Sequence, residues 1–127
     1  MAKKSTHDLQ EKYFEMQMLK QQISAMVEQK QQMDERLFEL RTTIDALEKL
    51  EKINKGEEIW SQIGSGTFVK SDIKDNEHVL IAVGAGVVVS EKRHKAIEVL
   101  QTRAHEVETF ISELVKQAND YVEKANQ

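Results

Sequence analysis

Apolar residues between residues 8 and 54 recur at alternating intervals of three and four, which is the heptad repeat of a coiled coil. With Leu9 at heptad position a, ten of the fourteen a and d positions are apolar. A 3.5-residue period held over this length predicts a helix over 8–54 that packs one narrow seam against another helix. Lys30 interrupts the seam. Of two interpretations, a register-setting role and an ammonium group that extends past the seam into solvent, we expect the second.

A second heptad repeat occupies residues 92–126, and its a and d positions are apolar throughout: Ile97, Leu100, Ala104, Val107, Ile111, Leu114, Ala118, Tyr121 and Ala125. Because the segment between the two repeats reverses the chain, we predict that the helices pair with each other in antiparallel orientation. If Asn54 lies level with Glu91, then Met18 lies beside Gln127. Residues before Met18 would then extend past the second helix.

Between the helices, over 57–91, the apolar period changes to two and a short motif occurs twice. Ile63-Gly64-Ser65-Gly66-Thr67 and Val83-Gly84-Ala85-Gly86-Val87 each place a glycine-bracketed turn between two β-prone runs. We predict two β-hairpins, with strands at about 57–63, 67–73, 78–83 and 87–91. The four glycines Gly64, Gly66, Gly84 and Gly86 would form the turns.

Isolated two-stranded hairpins are marginally stable in water, and uncharged strand edges recruit further strands. The fold class predicted is therefore mainly α with a small β segment, a long antiparallel two-helix coiled coil whose two hairpins form a strand-based platform with those of other subunits. The predicted oligomer interface comprises the apolar hairpin residues Ile63, Phe68, Val69, Val79, Leu80, Ile81, Val83, Val87, Val88 and Val89.

The overhanging start of the first helix carries apolar residues for which this register provides no partner within the chain. Methionine suits a surface that must fit many shapes, because its unbranched side chain adapts readily. Two interpretations stay open: a binding surface, and a helix surface with incidental self-association. The candidate binding residues, including three near the end of the second helix, are Leu9, Tyr13, Phe14, Met16, Met18, Val115, Tyr121 and Val122.

Several function classes are disfavoured by the composition and the motifs. The net charge of −4 mixes both signs along the chain, so neither a nucleic-acid face nor a membrane-binding basic segment is predicted. Cysteine is absent and the four histidines are scattered, so no metal site is expected. Gly84-Ala85-Gly86 lacks a third glycine and a following helix, so it does not predict a nucleotide site. We expect no enzyme activity and no cofactor, and, without a signal-like or spanning apolar run, a cytoplasmic location.

The order of elements and three segments of the chain resemble the alpha class of prefoldin subunits. Within that class the resemblance is to the archaeal alpha type, which is related to the eukaryotic alpha-class subunits. These segments are residues 63–75, residues 79–89 and the helix start Lys95-Ala96-Ile97-Glu98-Val99-Leu100. The resemblance implies a hexamer of two alpha and four beta-type subunits, with a double β-barrel and six coiled-coil tentacles. It also implies that the tentacle tips hold non-native proteins without ATP and pass them to a group II chaperonin.

One position departs from the family pattern. Prefoldin subunits of this class often have a proline shortly before the first glycine turn, where this chain has Trp60-Ser61-Gln62-Ile63. Two alternatives therefore accompany the chaperone interpretation. One is an alpha-like subunit that assembles with itself, including into filaments; the other is a structural coiled-coil adaptor that scaffolds one specific complex.

Overall fold

The computed structural model describes residues 2–126, with side chains from residue 6 onward. In chain order the elements are α1 (Ala2–Leu50), β1 (Glu58–Gly64), β2 (Thr67–Asp72), β3 (His78–Gly84), β4 (Val87–Lys92) and α2 (Arg93–Ala125). The strands form two separate antiparallel pairs, β1–β2 (hairpin 1) and β3–β4 (hairpin 2). The predicted fold class of two long helices joined by two hairpins is confirmed.

Helix α1 begins and ends earlier than the predicted range 8–54. It begins at Ala2 because residues 2–8 contain neither proline nor glycine, so nothing in them stops a helix. At its other end, the N–H groups of Lys52 and Ile53 donate to the carbonyls three residues earlier, which tightens the last turn. Gly56 then adopts a φ of +87°, a conformation that favours glycine, and the chain turns into β1.

Segments of the two helices pack against each other in antiparallel orientation within two compact units. One unit is Glu39–Ala104, and the other pairs the α1 segment ending at Phe38 with the segment that begins at His105. In the first unit, Arg93 Nη2 at the start of α2 lies 3.8 Å from Glu51 Oε1 just after α1, close to the predicted register. In the second, residues near the start of α1 and the end of α2 line one hollow.

Burial along both helices follows the predicted heptads. From Leu19 to Leu47 every a and d position of α1 is half-buried or buried, and the same holds from Ile97 to Ala125 in α2. Lys30 remains half-buried and its Nζ reaches Asp34 Oδ2 at 2.7 Å, so its charge is satisfied beside the seam. The most buried seam residues are Leu40, Leu100, Ala104, Val107 and Leu114.

Both hairpins close with two-residue turns, Ser65-Gly66 and Ala85-Gly86, which are shorter than predicted. Gly64 and Gly84 are still paired with Thr67 and Val87, so they end their strands instead of forming the turn. The two copies of the motif also differ in backbone conformation. In hairpin 2, Ala85 (+51°) and Gly86 (+75°) both have positive φ, as in a type I′ turn. In hairpin 1, Gly66 has a positive φ and Ser65 does not.

Candidate functional site

The start of α1 presents an exposed apolar surface, which we call the tip patch and define as Leu9, Tyr13, Phe14, Met16 and Met18. The seam positions in this segment, Leu9, Lys12 and Met16, are exposed, whereas Leu19 and the seam positions that follow are not. Phe14, which lies off the seam, is 66% exposed. The cover that α2 gives to the α1 seam therefore begins near Leu19, as the predicted overhang requires.

A hollow of about 620 Å³ opens beside this patch. Phe14, Met16, Met18 and Leu19 form its apolar part, and Ala125 of α2 lies opposite them. Three charged residues complete the lining: Lys12, Glu15 and Lys124. An apolar surface with charged neighbours can bury apolar segments of another chain while its charged groups stay hydrated.

The candidate binding residues of α2 are less accessible than Leu9, Tyr13 and Phe14 of α1. Tyr121 is half-buried in the seam, and Lys124 Nζ lies 5.7 Å from the centre of its ring. Val115 and Val122 are partly exposed, but they do not line the hollow. At this end of α2, Lys124 and Ala125 therefore line the hollow beside the tip patch, whereas the three predicted residues do not.

Two exposed apolar residues on α1 were missed by the heptad pattern. Phe38 is 72% exposed, and Val27 is also exposed. They occupy heptad positions b and e, outside the seam that the pattern follows. A search of the sequence for apolar residues off the seam would have found both.

The predicted oligomer interface divides into exposed and inward-facing residues. Seven are exposed: Ile63, Phe68, Val69, Leu80, Val83, Val87 and Val88. Ile81 is buried in the single chain, where it is only 8% exposed. Its cross-strand partner Val89 and its neighbour Val79 on the same face are half-buried. Alternate strand residues point to opposite faces, which explains why Leu80 is exposed at 74% beside a buried Ile81.

The linker between the hairpins is bonded to both helix junctions. Asn76 Nδ2 donates to the carbonyl of Ile53, 2.8 Å away, beyond the end of α1. The Asn76 carbonyl accepts from Arg93 Nε at 3.2 Å, at the start of α2. Asp75 Oδ1 accepts from the backbone N–H groups of Glu77 and His78. These bonds, above all the one from Glu77, hold the pKa of Asp75 below its ordinary value.

Most of the chain, residues 19–127, matches the family model of the Prefoldin subunit. The chain belongs to the prefoldin family. It is similar to prefoldin subunit alpha of Archaeoglobus fulgidus, with 30% identity over 104 residues that cover 82% of this chain and 76% of that protein. Prefoldin subunit alpha of Pyrococcus horikoshii is 28% identical over 128 residues, covering 94% and 86%.

A solved structure has the same fold as this prefoldin subunit. Filamentous prefoldin from Methanocaldococcus jannaschii matches with a TM-score of 0.80, covering 88% of this chain and 93% of that one. Its sequence identity of 17% limits the comparison to the fold. The alpha-class resemblance inferred from residues 63–75, 79–89 and 95–100 is confirmed by the relatives, and the chain is a chaperone-type subunit of a family that assembles into oligomers with other prefoldin subunits.

Membrane spans and metal clusters are both absent from the described part of this prefoldin subunit. Over residues 2–126, neither helix contains an apolar stretch sufficient to span a lipid bilayer. Within the same part of the chain, no three His, Cys, Asp or Glu residues are placed to hold a metal ion.

Proposed function

We propose that this prefoldin subunit holds non-native proteins at its tip patch without ATP and delivers them to a group II chaperonin in the cytoplasm. The observation that carries the proposal is the exposed tip patch beside an apolar hollow at the end of a paired helix. The tip patch comprises Leu9, Tyr13, Phe14, Met16 and Met18. We include Val115, Tyr121 and Val122 of α2 as weaker contributors to client binding.

Burial of apolar surface provides a sufficient driving force for such holding. Each Å² of apolar surface removed from water contributes roughly 25 cal/mol, so contact with a few exposed client side chains gives weak, reversible binding. Several subunits that act on one client convert weak contacts into useful avidity. Because capture and release depend on apolar contact alone, the mechanism needs no nucleotide hydrolysis.

Assembly is the second part of the proposal. We infer that the subunit joins beta-type prefoldin subunits in a hexamer of two alpha and four beta chains. The exposed hairpin residues Phe68, Leu80 and Val88 support this, because apolar side chains on short two-stranded sheets gain stability when further strands cover them.

An aggregation assay tests the holding activity. The assembled oligomer is mixed with several unrelated denatured proteins in the absence of nucleotide, and light scattering is followed as they are diluted from denaturant. We expect suppression at a stoichiometric excess of oligomer for each client. Scattering equal to that of the clients alone would refute the proposal. Transfer is tested separately by following a fluorescent client from the oligomer to an added group II chaperonin.

Self-assembly is the second candidate function. Exposed Trp60 and the apolar hairpin faces favour it, because the same surfaces can accept strands of a second copy. Native mass spectrometry of this chain alone, and after addition of a beta-type subunit, separates the two assemblies. A hexamer that forms only on mixing supports the mixed complex, whereas large species of this chain alone support self-assembly or a scaffold.

A further inference from the structure

Hairpin 2 is bonded to α2 near its turn. At its base, the Arg93 N–H donates to the Glu77 carbonyl, with N and O 2.6 Å apart, which continues the β3–β4 ladder by one pair. Near its turn, Arg103 Nη2 of α2 donates to the Ala82 carbonyl at 2.8 Å. Ile81, the residue before Ala82, is buried, and the half-buried Val79 and Val89 lie on the same face. A side-chain hydrogen bond therefore joins the strand pair to α2 beside a buried apolar residue.

Hairpin 1 has the same kind of closure at its base but less burial along its strands. At its base, the Gly56 N–H donates to the Ile73 carbonyl at 2.7 Å, and the Ile73 N–H donates to the Glu57 carbonyl at 3.2 Å. No residue of β1 or β2 is buried, and the least exposed ones, Ile59, Ser61 and Ser71, are half-buried. Ser61 and Ser71 bond to each other across the hairpin and not to a helix.

Arg103 is well placed to fix the strand that it contacts. It is half-buried and directly precedes the buried seam residue Ala104, so its backbone belongs to the packed part of α2. A guanidinium group spans the gap between helix and strand and makes a charge-assisted hydrogen bond to the carbonyl, which is stronger than a neutral one. Ala82 is paired with Val88, so holding Ala82 also holds β4.

We propose that Arg103 is a positioning residue that locks hairpin 2 onto α2, so that this hairpin enters assembly in a preset orientation while hairpin 1 adjusts to its partner. The lock fixes the exposed side chains Leu80 and Val88 before a second subunit arrives, which lowers the entropy cost of association. This inference rests on the proposed assembly function, but the lock itself is a property of the single chain.

Hydrogen exchange of the whole chain, measured by mass spectrometry without client or partner, tests the lock. In the unmodified chain we expect the amides of β3 and β4 to exchange more slowly than those of β1 and β2. Arg103→Gln should speed exchange in β3 and β4 on the order of tenfold, the usual effect of losing one charged hydrogen bond, and leave β1 and β2 unchanged. Arg103→Lys should restore part of the protection, because lysine can still donate to the carbonyl.

Arg36→Gln is the matched control, since it removes the same charge from an exposed position of α1. Equal protection of the two hairpins, or an Arg103→Gln profile that matches that of the control, would overturn the proposal. A similar increase of the exchange rate in both hairpins of Arg103→Gln would also overturn the proposal, because that pattern indicates general destabilisation. None of these outcomes depends on client holding. The exchange experiment can therefore refute the role of Arg103 without affecting the proposed chaperone function, and the aggregation assay can refute the chaperone function without affecting the role of Arg103.

Discussion

Lys70 Nζ lies 5.6 Å from the centre of the Trp60 ring, and the two residues are direct cross-strand partners in hairpin 1. The same ammonium group is 3.5 Å from Oε2 of Glu58, which lies two residues before Trp60 on β1. Trp60 is nevertheless 65% exposed. A cation over its face contributes about 0.5–1 kcal/mol at an exposed site, which helps to hold the large ring against β2.

Trp60 is the only tryptophan, so its fluorescence reports on hairpin 1 alone. We expect the emission of the single chain to resemble that of a water-exposed indole and to move to shorter wavelength on assembly, because joining strands would cover the ring. Emission spectra recorded alongside native mass test this. An assembly of several subunits with unchanged emission would place Trp60 outside the interface.

Changing Phe14, Met16 and Met18 together to serine should strongly weaken client holding and leave oligomer mass unchanged. These side chains are exposed in the subunit, so we expect the free energy of unfolding to change by only about 0.5 kcal/mol per site. Aggregation suppression and thermal unfolding are the measurements. Phe38→Ser is the matched control, because Phe38 is equally apolar and at least as exposed on the same helix. An equal loss of aggregation suppression in the two variants would contradict the proposed role of the tip patch in client binding.

Leu80 and Ile81 are adjacent residues for which aspartate substitutions should have different effects. Leu80→Asp places a charge on the exposed face, so we expect smaller oligomers from a chain that keeps its helix content. Ile81→Asp buries a charge in the subunit itself and should cost roughly 3 kcal/mol or more of unfolding free energy. Native mass and circular dichroism distinguish them. Oligomers of normal size from Leu80→Asp would contradict the assembly surface on this face.

Gly64 and Gly84 occupy matching positions in the two motifs, but only Gly84 has a positive φ, at +114°. A Cβ atom added at either position meets no atom within 4 Å, so the two sites differ in backbone conformation and not in crowding. We expect Gly84→Ala to lower the free energy of unfolding by about 1–2 kcal/mol more than Gly64→Ala. Urea unfolding of the two variants measures the difference, and equal midpoints would contradict it.

Periodicity predicted the parts of this subunit that depend on local spacing. The seam residues Leu100 and Ala104, the strands and the exposed seam before Met18 follow from where apolar residues recur. The burial of Ile81 could not be predicted, because a period of two separates the two faces of a hairpin without telling which face is buried. The bond from Arg103 to Ala82 joins residues distant in sequence, so it has no local signal. The conformational difference between Gly64 and Gly84 is likewise hidden, since their flanking sequences are nearly alike.

The single narrow seam of the helix pair also determines how this subunit should lose its structure. Leu40, Val107 and Leu114 are buried residues of this seam, and a seam residue of a coiled coil packs into the few residues that face it. Five of the seven buried apolar residues in the described part of the chain lie on this seam, so much of the stabilising burial accumulates turn by turn, as it does in repeat proteins. Heating should therefore remove helicity gradually over a broad range of temperature, with cooperativity lower than that of a globular domain of the same length.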